Sequence, residues 1–130
     1  MTLLMRPKSR TLTDHELEIM KIIWELESAT VKAVHQHLLQ KRKIAYTTVM
    51  TMMQILNRKN YLRRILQGRA YTYYPTRPKE EVVRSMVLEF VERVFNGSAE
   101  SLLACLLQAG DFDRPRLLEV ARQALEEDLP

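Results

Sequence analysis

The sequence predicts a mainly helical protein with one small β-hairpin. Only three of the 130 residues are glycine and five are proline, which leaves little material for the turns of a sheet-rich fold. Apolar residues recur at helical spacing in six segments, and one pair of β-prone runs lies between the third and the fourth. Charge also divides the chain: residues 1–79 carry a net charge of +10 and residues 80–130 a net charge of −6.

The first helix begins with a capping box. Thr13 and Glu16 have the S/T-x-x-E spacing, in which each side chain satisfies a backbone N–H group of the first turn. Apolar residues follow at helical spacing to about Leu26, and Trp24, near the end of this helix, is expected to anchor the core.

The second helix is predicted from Val31 to about Gln40, with Thr30 as its N-cap. The third is predicted from Tyr46 to about Asn60. At ~100° per residue, it separates an apolar side from a polar one. The apolar side holds Val49, Met52, Met53 and Leu56, and the polar side holds Thr47, Thr51, Gln54 and Arg58.

Two β-prone runs follow, residues 61–66 and 69–75, with Gln67 and Gly68 as the turn between them. Three helices and a basic hairpin in this order define a winged helix–turn–helix. Tyr71 and Tyr73 share one face of the second strand, where they either pack the wing against the third helix or reach a phosphate.

The remaining residues predict three more helices. One carries an apolar stripe and stops at Asn96-Gly97, the next is capped by Ser98, and the last is capped by Asp113. About 50 residues so rich in leucine are too few to bury their own apolar surface. We therefore expect a dimerisation module, with interface residues Met86, Phe90, Val94, Leu103, Leu106, Leu107, Leu118 and Leu125. The predicted division is a flexible tail at 1–10, a winged-helix domain at 11–78 and the dimerisation module at 79–130.

The stretch from Ser28 to Lys79 contains 11 lysine and arginine residues and no aspartate or glutamate. A segment without anionic groups has nothing to repel a polyphosphate, which favours nucleic acid as the partner. An ordinary solvated basic face is the alternative.

The third helix has side chains of the types that suit DNA base recognition. A hydroxyl and a methyl group on each threonine suit base edges and the thymine methyl, and glutamine pairs with adenine. The predicted base-reading residues are Tyr46, Thr47, Thr48, Thr51 and Gln54, of which Thr48 projects to the edge of the apolar side. The predicted contacts to the DNA backbone are Lys32, Lys43, Arg58, Lys59, Arg63, Arg64 and Arg69.

The sequence gives little indication of metal binding, thiol chemistry, membrane insertion or catalysis. His35 and His37 point in different directions on a helix and have no second ligand cluster, so neither a metal site nor a cofactor is expected. The single cysteine, Cys105, lies in a leucine-rich helix, where a buried, inert thiol is expected. No apolar run reaches the ~18 residues of a membrane span, so we expect no membrane insertion and a cytoplasmic location. No catalytic arrangement is recognisable, and an enzyme is not predicted.

Three segments together resemble the penicillinase repressor (BlaI/MecI/CopY) family. They are residues 13–20 leading into Ile23-Trp24, the stretch from Ala45 to Thr51, and the hairpin residues 69–73. The resemblance covers about residues 11–125. It implies a bacterial winged-helix homodimer that binds a palindromic operator and represses transcription, with base-reading positions on Thr47, Thr48 and Thr51.

The resemblance also implies regulation, and here the chain departs from the family. The β-lactam-responsive members are linked to a membrane sensor metalloprotease and are cleaved at an Asn-Phe bond, where this chain has Cys105-Leu106. The copper-responsive members carry Cys-x-Cys pairs, whereas this chain has one cysteine. The inducing signal therefore stays open.

The sequence thus predicts a repressor that acts as a homodimer on duplex DNA. Two other classes stay open at this point. One is a protein–protein adaptor whose basic hairpin docks an acidic partner, and the other is an RNA-binding winged helix. The threonine side of the third helix suits a duplex groove better than stacked single strands.

Overall fold

The computed structural model describes residues 11–127, so the tail predicted at 1–10 and the last three residues lie outside the described part. The elements are α1 (Asp14–Leu26), α2 (Val31–Leu39), α3 (Tyr46–Arg58), β1 (Leu62–Gln67), β2 (Ala70–Pro75), α4 (Lys79–Phe95), α5 (Ala99–Ala109) and α6 (Arg114–Glu127). The prediction of a mainly helical chain with one hairpin is confirmed. Two compact units divide it after Arg84, inside α4.

The helices of the first unit begin where their caps predict. The hydroxyl of Thr13 accepts from the Glu16 backbone N–H at 3.2 Å, and the Thr13 N–H donates to the Glu16 carboxylate at 2.9 Å. The Thr30 hydroxyl accepts from the Ala33 N–H at 3.2 Å. The third helix ends at Arg58, two residues before the predicted end, because Asn60 has a left-handed backbone with a φ of 69°.

The core of the first unit is built from the apolar sides of α1, α2 and α3, with the base of the hairpin. Its fully buried side chains include Ile19, Met20, Ile23, Val34, Leu38, Val49, Met53, Leu56, Leu62 and Tyr73. Trp24 differs from the prediction, because it is only half-buried. Its indole N–H instead donates to the Arg77 carbonyl at 3.0 Å, which ties α1 to the segment before α4.

The hairpin pairs antiparallel from Leu62 opposite Pro75 to Gln67 opposite Ala70, so its turn is Gly68 and Arg69 rather than the predicted Gln67 and Gly68. It is joined to the helices by a bridge outside the two strands: Ala29 and Tyr73 exchange backbone hydrogen bonds of 3.0 and 2.8 Å. The wing is therefore attached to the turn between α1 and α2, directly before the cap of α2.

The second unit contains most of α4, with α5 and α6. The Ser98 hydroxyl caps α5 through the Ser101 N–H at 3.0 Å, and the Asp113 carboxylate accepts from the Arg116 N–H at 3.1 Å. Neither α5 nor α6 has a buried residue. Cys105 is exposed, so the prediction of a buried thiol was wrong. Among the described residues, no helix is both long and apolar enough to span a membrane.

Candidate nucleic-acid interface

The third helix presents a polar side to solvent because its apolar side is used by the core. Val49, Met53 and Leu56 are fully buried, whereas Thr47 and Thr51 are exposed. Since residues four apart lie on the same side of a helix, these two threonines are neighbours on the exposed side. This stretch of α3 can therefore enter a groove without disturbing the packing of the unit.

The predicted base-reading residues do not form one group. Thr47 and Thr51 lie on the exposed side of α3, while Tyr46 and Gln54 line a groove next to the hairpin. Thr48 is exposed, ~100° further around the helix from Thr47. Three neighbouring stripes of one helix thus carry the five residues.

The groove between α3 and the hairpin, here called the wing groove, has a volume of about 410 Å³. Its walls come from the start of α2, from α3 and from the hairpin. They are formed by Thr30, Val31, Lys32, Tyr46, Met50, Gln54, Arg64, Arg69, Ala70, Tyr71 and Tyr73. The structure thereby brings together three of the predicted backbone contacts, Lys32, Arg64 and Arg69. Sequence reasoning missed Met50, although the spacing of Tyr46, Met50 and Gln54 is a signal for one helical stripe.

The two faces of the hairpin hold their arginines differently. The Arg64 guanidinium carbon lies 4.3 Å from the centre of the Tyr71 ring, beside the wing groove. The Arg63 guanidinium carbon lies 4.7 Å from the centre of the Tyr74 ring. Because successive strand residues point to opposite faces, Arg63 lies on the face away from Arg64. Each arginine is thus stacked on a tyrosine of its own face.

The two tyrosines left open by the sequence have separate roles. Tyr73 is 2% exposed and packs the hairpin against the helices. Tyr71 is 40% exposed and forms the aromatic surface beneath Arg64. Of the two roles left open by the sequence, packing against the helices therefore applies to Tyr73, whereas Tyr71 stays accessible.

Lys59, one of the predicted contacts to the DNA backbone, is held by residues at the start of the first helix and just before it. Its ammonium is 2.8 Å from a carboxylate oxygen of Glu16 and donates to the Thr11 carbonyl at 3.3 Å. Arg58, the preceding residue, is exposed, as is Lys43 in the turn before α3. Lys59 therefore joins α3 to the start of α1, which is a structural task.

Glu16 is a charged residue buried in the first unit, at 5% exposure. Burial alone raises the pKa of a carboxyl group, but hydrogen bonds from Lys59 and from the Thr13 backbone outweigh it. The pKa of Glu16 consequently lies below its usual range, and the carboxylate stays charged at neutral pH.

The two histidines of α2 both contact backbone carbonyls. His35 Nε2 lies 2.8 Å from the Ile44 carbonyl oxygen, in the turn before α3. His37 Nδ1 lies 3.1 Å from the Ala33 carbonyl oxygen, within α2 itself. Within residues 11–127 there is no group of three histidine, cysteine or acidic side chains that could hold a metal ion.

The fold and the exposed face of α3 define a winged-helix protein of the nucleic-acid-binding class. Residues 12–126 match the model of the penicillinase repressor family, and the chain belongs to that family. The family is one of repressors rather than enzymes, which agrees with the prediction from the sequence.

Known relatives extend over most of the chain. It is 34% identical over 128 residues to the transcriptional regulator BlaI of Mycobacterium tuberculosis, covering 83% of this chain and 93% of that protein. It is 28% identical over 116 residues to the penicillinase repressor of Bacillus licheniformis, covering 89% and 90%. The solution structure of the DNA-binding domain of the repressor BlaI matches with a TM-score of 0.51 and 29% identity, covering 58% of this chain and 93% of that one.

Proposed function

We propose that this chain is a bacterial, cytoplasmic repressor that binds duplex operator DNA as a homodimer. The observation that carries the proposal is the exposed, acid-free side of α3 beside a groove lined by three cations. Membership of the penicillinase repressor family supports the same conclusion, since its relatives include a transcriptional regulator and a repressor.

The exposed side of α3 is the part that reads bases. Thr47 and Thr51 present hydroxyl and methyl groups together, which suits hydrogen bonding to base edges and contact with the thymine methyl. Thr48 adds a third hydroxyl at the edge of this surface. Major-groove width matches one α-helix, so α3 can enter it with these side chains leading.

The wing groove is the part that holds the DNA backbone. Lys32 lines it from the start of α2, Arg64 and Arg69 line it from the hairpin, and no carboxylate among the described residues lines it. Stacking on Tyr71 restrains the Arg64 side chain before DNA arrives, so less conformational freedom is lost on binding. Tyr46 and Gln54 line the same groove and can contact both a phosphate and the adjoining base.

Dimerisation is supported by apolar side chains that the second unit leaves uncovered. All eight predicted interface residues retain exposed surface: Met86, Phe90, Val94, Leu103, Leu106, Leu107, Leu118 and Leu125. Leu118 is 58% exposed and Leu125 68% exposed. A second copy with the same surface would bury them, and a two-fold dimer requires a palindromic operator with half-sites ~10 or ~20 bp apart.

Release from the operator requires only that the dimer weaken. One half-site supplies modest affinity, so separating the two copies lowers the affinity for the whole operator. Three kinds of signal would each suffice to weaken the dimer: a membrane sensor metalloprotease pathway, a small ligand or a binding partner. Ala104 and Cys105 in α5 are exposed and Leu106 is partly exposed, although the Asn-Phe pair is replaced.

The experiment that tests the proposal is selection of bound duplexes from a random DNA library at about physiological salt, which suppresses non-specific binding. We expect a palindromic motif with a fixed spacing between its half-sites. No enriched motif from a folded dimer would contradict the proposal. Tight binding of an acidic protein, or preference for single-stranded RNA in competition, would then support the adaptor or the RNA-binding alternative.

A further inference from the structure

We propose that His35 is a positioning residue for DNA recognition, which holds the first turn of α3 and through it the Tyr46 ring. The inference rests on the proposed function, because it assigns a task to the same DNA-binding surface. His35 itself lies in α2 and does not line the wing groove.

Two contacts from one imidazole reach the start of α3. Nε2 lies 2.8 Å from the Ile44 carbonyl oxygen, two residues before the helix. The ring also meets the Tyr46 ring edge to face, with centroids 5.6 Å apart and planes at 89°. Donation to the carbonyl requires a hydrogen on Nε2, which both the imidazolium and one neutral tautomer carry. The hydrogen bond therefore does not depend on the charge of the ring.

The start of α3 needs an external support of this kind. Thr13 and Thr30 cap α1 and α2 through their hydroxyl groups. The N-cap of α3 is Ala45, which has no side-chain acceptor for the N–H groups of the first turn. With no local cap, the direction in which the chain enters α3 depends more strongly on contacts from elsewhere. His35 supplies two such contacts, one to the backbone carbonyl of Ile44 and one to the side chain of Tyr46.

Tyr46 transmits this support to the DNA-binding surface. It is the first residue of α3, is 46% exposed and lines the wing groove with Lys32 and Arg64. A ring already restrained on one edge loses little freedom when it contacts DNA. We therefore expect His35 to act on affinity for the selected operator rather than on the sequence-independent attraction between charges.

The chain offers variants that separate the two contacts. His35→Gln retains an N–H donor and loses the ring, whereas His35→Phe retains a ring and loses the donor. Tyr46→Leu removes the receiving ring. His37→Gln is the matched control, because His37 lies on the same helix and contacts the Ala33 carbonyl of α2 itself. Each full-length variant would be compared by thermal unfolding, so that a general loss of stability is recognised.

The first readout is amide hydrogen exchange in the free chain, which requires no DNA. The Thr48 and Val49 N–H groups donate to the Ala45 carbonyl at 3.1 and 3.2 Å and so close the first turn of α3. Relative to exchange at the core amides, His35→Phe should speed exchange at these two amides about two- to tenfold, because the hydrogen bond to the Ile44 carbonyl is lost. His37→Gln should leave these amides unchanged. Unchanged exchange in His35→Phe would overturn the inference even if the chain binds no operator at all.

The second readout is binding to the selected duplex and to a scrambled duplex of the same length. His35→Gln and His35→Phe should each weaken binding to the selected duplex about two- to tenfold, with the salt dependence unchanged. In a double-mutant cycle, either His35 variant should lower the affinity for the selected duplex by a smaller factor in the Tyr46→Leu background than it does alone. Equal losses on both duplexes, full additivity or a shallower salt dependence would each overturn the inference. Absence of any selected duplex with the unaltered chain would instead contradict the proposed function.

Discussion

Arg63 and Arg64 are adjacent residues with the same charge on opposite faces of one strand. Arg64 stacks on Tyr71 beside the wing groove, whereas Arg63 stacks on Tyr74 on the other face. We predict that Arg64→Ala weakens DNA binding about tenfold at physiological salt, since a charge-assisted contact is lost. The slope of log K for DNA binding against the logarithm of the salt concentration should become less negative by ~0.9. Titrations at four or five salt concentrations measure both quantities.

Two variants provide the comparison for Arg64→Ala. Arg63→Ala removes the same charge from the other face and should change the salt dependence less. Thr51→Ala removes no charge and should change base preference instead, because Thr51 lies on the exposed side of α3. Identical salt slopes for the two arginine variants would contradict the assignment of the groove face to the DNA backbone.

Glu16 links stability to pH through its ion pair with Lys59. Because the folded chain lowers the pKa of Glu16, its stabilising effect is complete above the ordinary value of 4.5 and is lost as pH falls through the lower, folded-state pKa. Glu16→Gln should reduce the free energy of unfolding by about 1–3 kcal/mol at pH 7. The difference from the unaltered chain should disappear in acid.

Denaturant unfolding between pH 7 and pH 3 measures this dependence. Glu25→Gln is the control, since Glu25 is an exposed carboxylate on the same helix. A constant difference between Glu16→Gln and the unaltered chain across the range would show that the loss comes from packing rather than from the charge.

The burial or exposure of an individual residue was predictable where it depends only on the geometry of one helix. The buried side of α3 follows from spacing alone, and so does the exposure of Thr47 and Thr51. The partner of Lys59 was not predictable, because Glu16 lies 43 residues away and in another helix. Arg58 and Lys59 look equivalent in the sequence, but tertiary packing exposes the first and gives the second an anionic partner.

At the scale of elements, the hairpin depends on one glycine in its two-residue turn. Gly68 has a φ of 68° and is followed by Arg69, the arginine at the tip of the wing. A Cβ atom at this position would meet nothing within 4 Å, so substitution costs conformational strain rather than a clash. We predict that Gly68→Ala destabilises the hairpin by about 1 kcal/mol and weakens DNA binding.

Thermal unfolding and DNA titration of the same samples test the role of this turn. Gly68→Asn should show a smaller loss than Gly68→Ala, since asparagine adopts positive φ more readily than alanine. A larger loss for Gly68→Asn would mean that the turn is limited by space and not by backbone conformation.

Elements were predictable because their signals are local. Thr13, Thr30, Ser98 and Asp113 each cap a helix that starts where the sequence indicates. The features that were missed involve distant partners. The bridge between Ala29 and Tyr73 leaves no local signal, because it joins residues 44 positions apart and each has an ordinary neighbourhood in the sequence.

At the scale of the whole molecule, the second unit leaves large apolar side chains exposed, among them Leu118 and Leu125. We predict that Leu118→Glu shifts the proposed dimer to monomer, because it would place a carboxylate in the proposed apolar interface. Affinity for a two-half-site operator should fall about 100-fold or more, whereas binding to one half-site should change little.

Analytical ultracentrifugation and binding to whole and half operators measure these effects. Ala124→Glu, which introduces the same charge at an exposed position of α6, is the control. A Leu118→Glu chain that stays dimeric would place the interface on another part of the second unit.

The hydrogen bond from Trp24 to the Arg77 carbonyl has a further, practical consequence. Trp24 is the only tryptophan of the chain, so emission excited selectively at the indole comes from this one position. The indole is half-buried against the segment that leads into α4. Any event that loosens this segment will expose the indole to water and shift its fluorescence emission to longer wavelength. Trp24 fluorescence thus reports on the segment before α4. Candidate inducers can therefore be screened without attaching a dye.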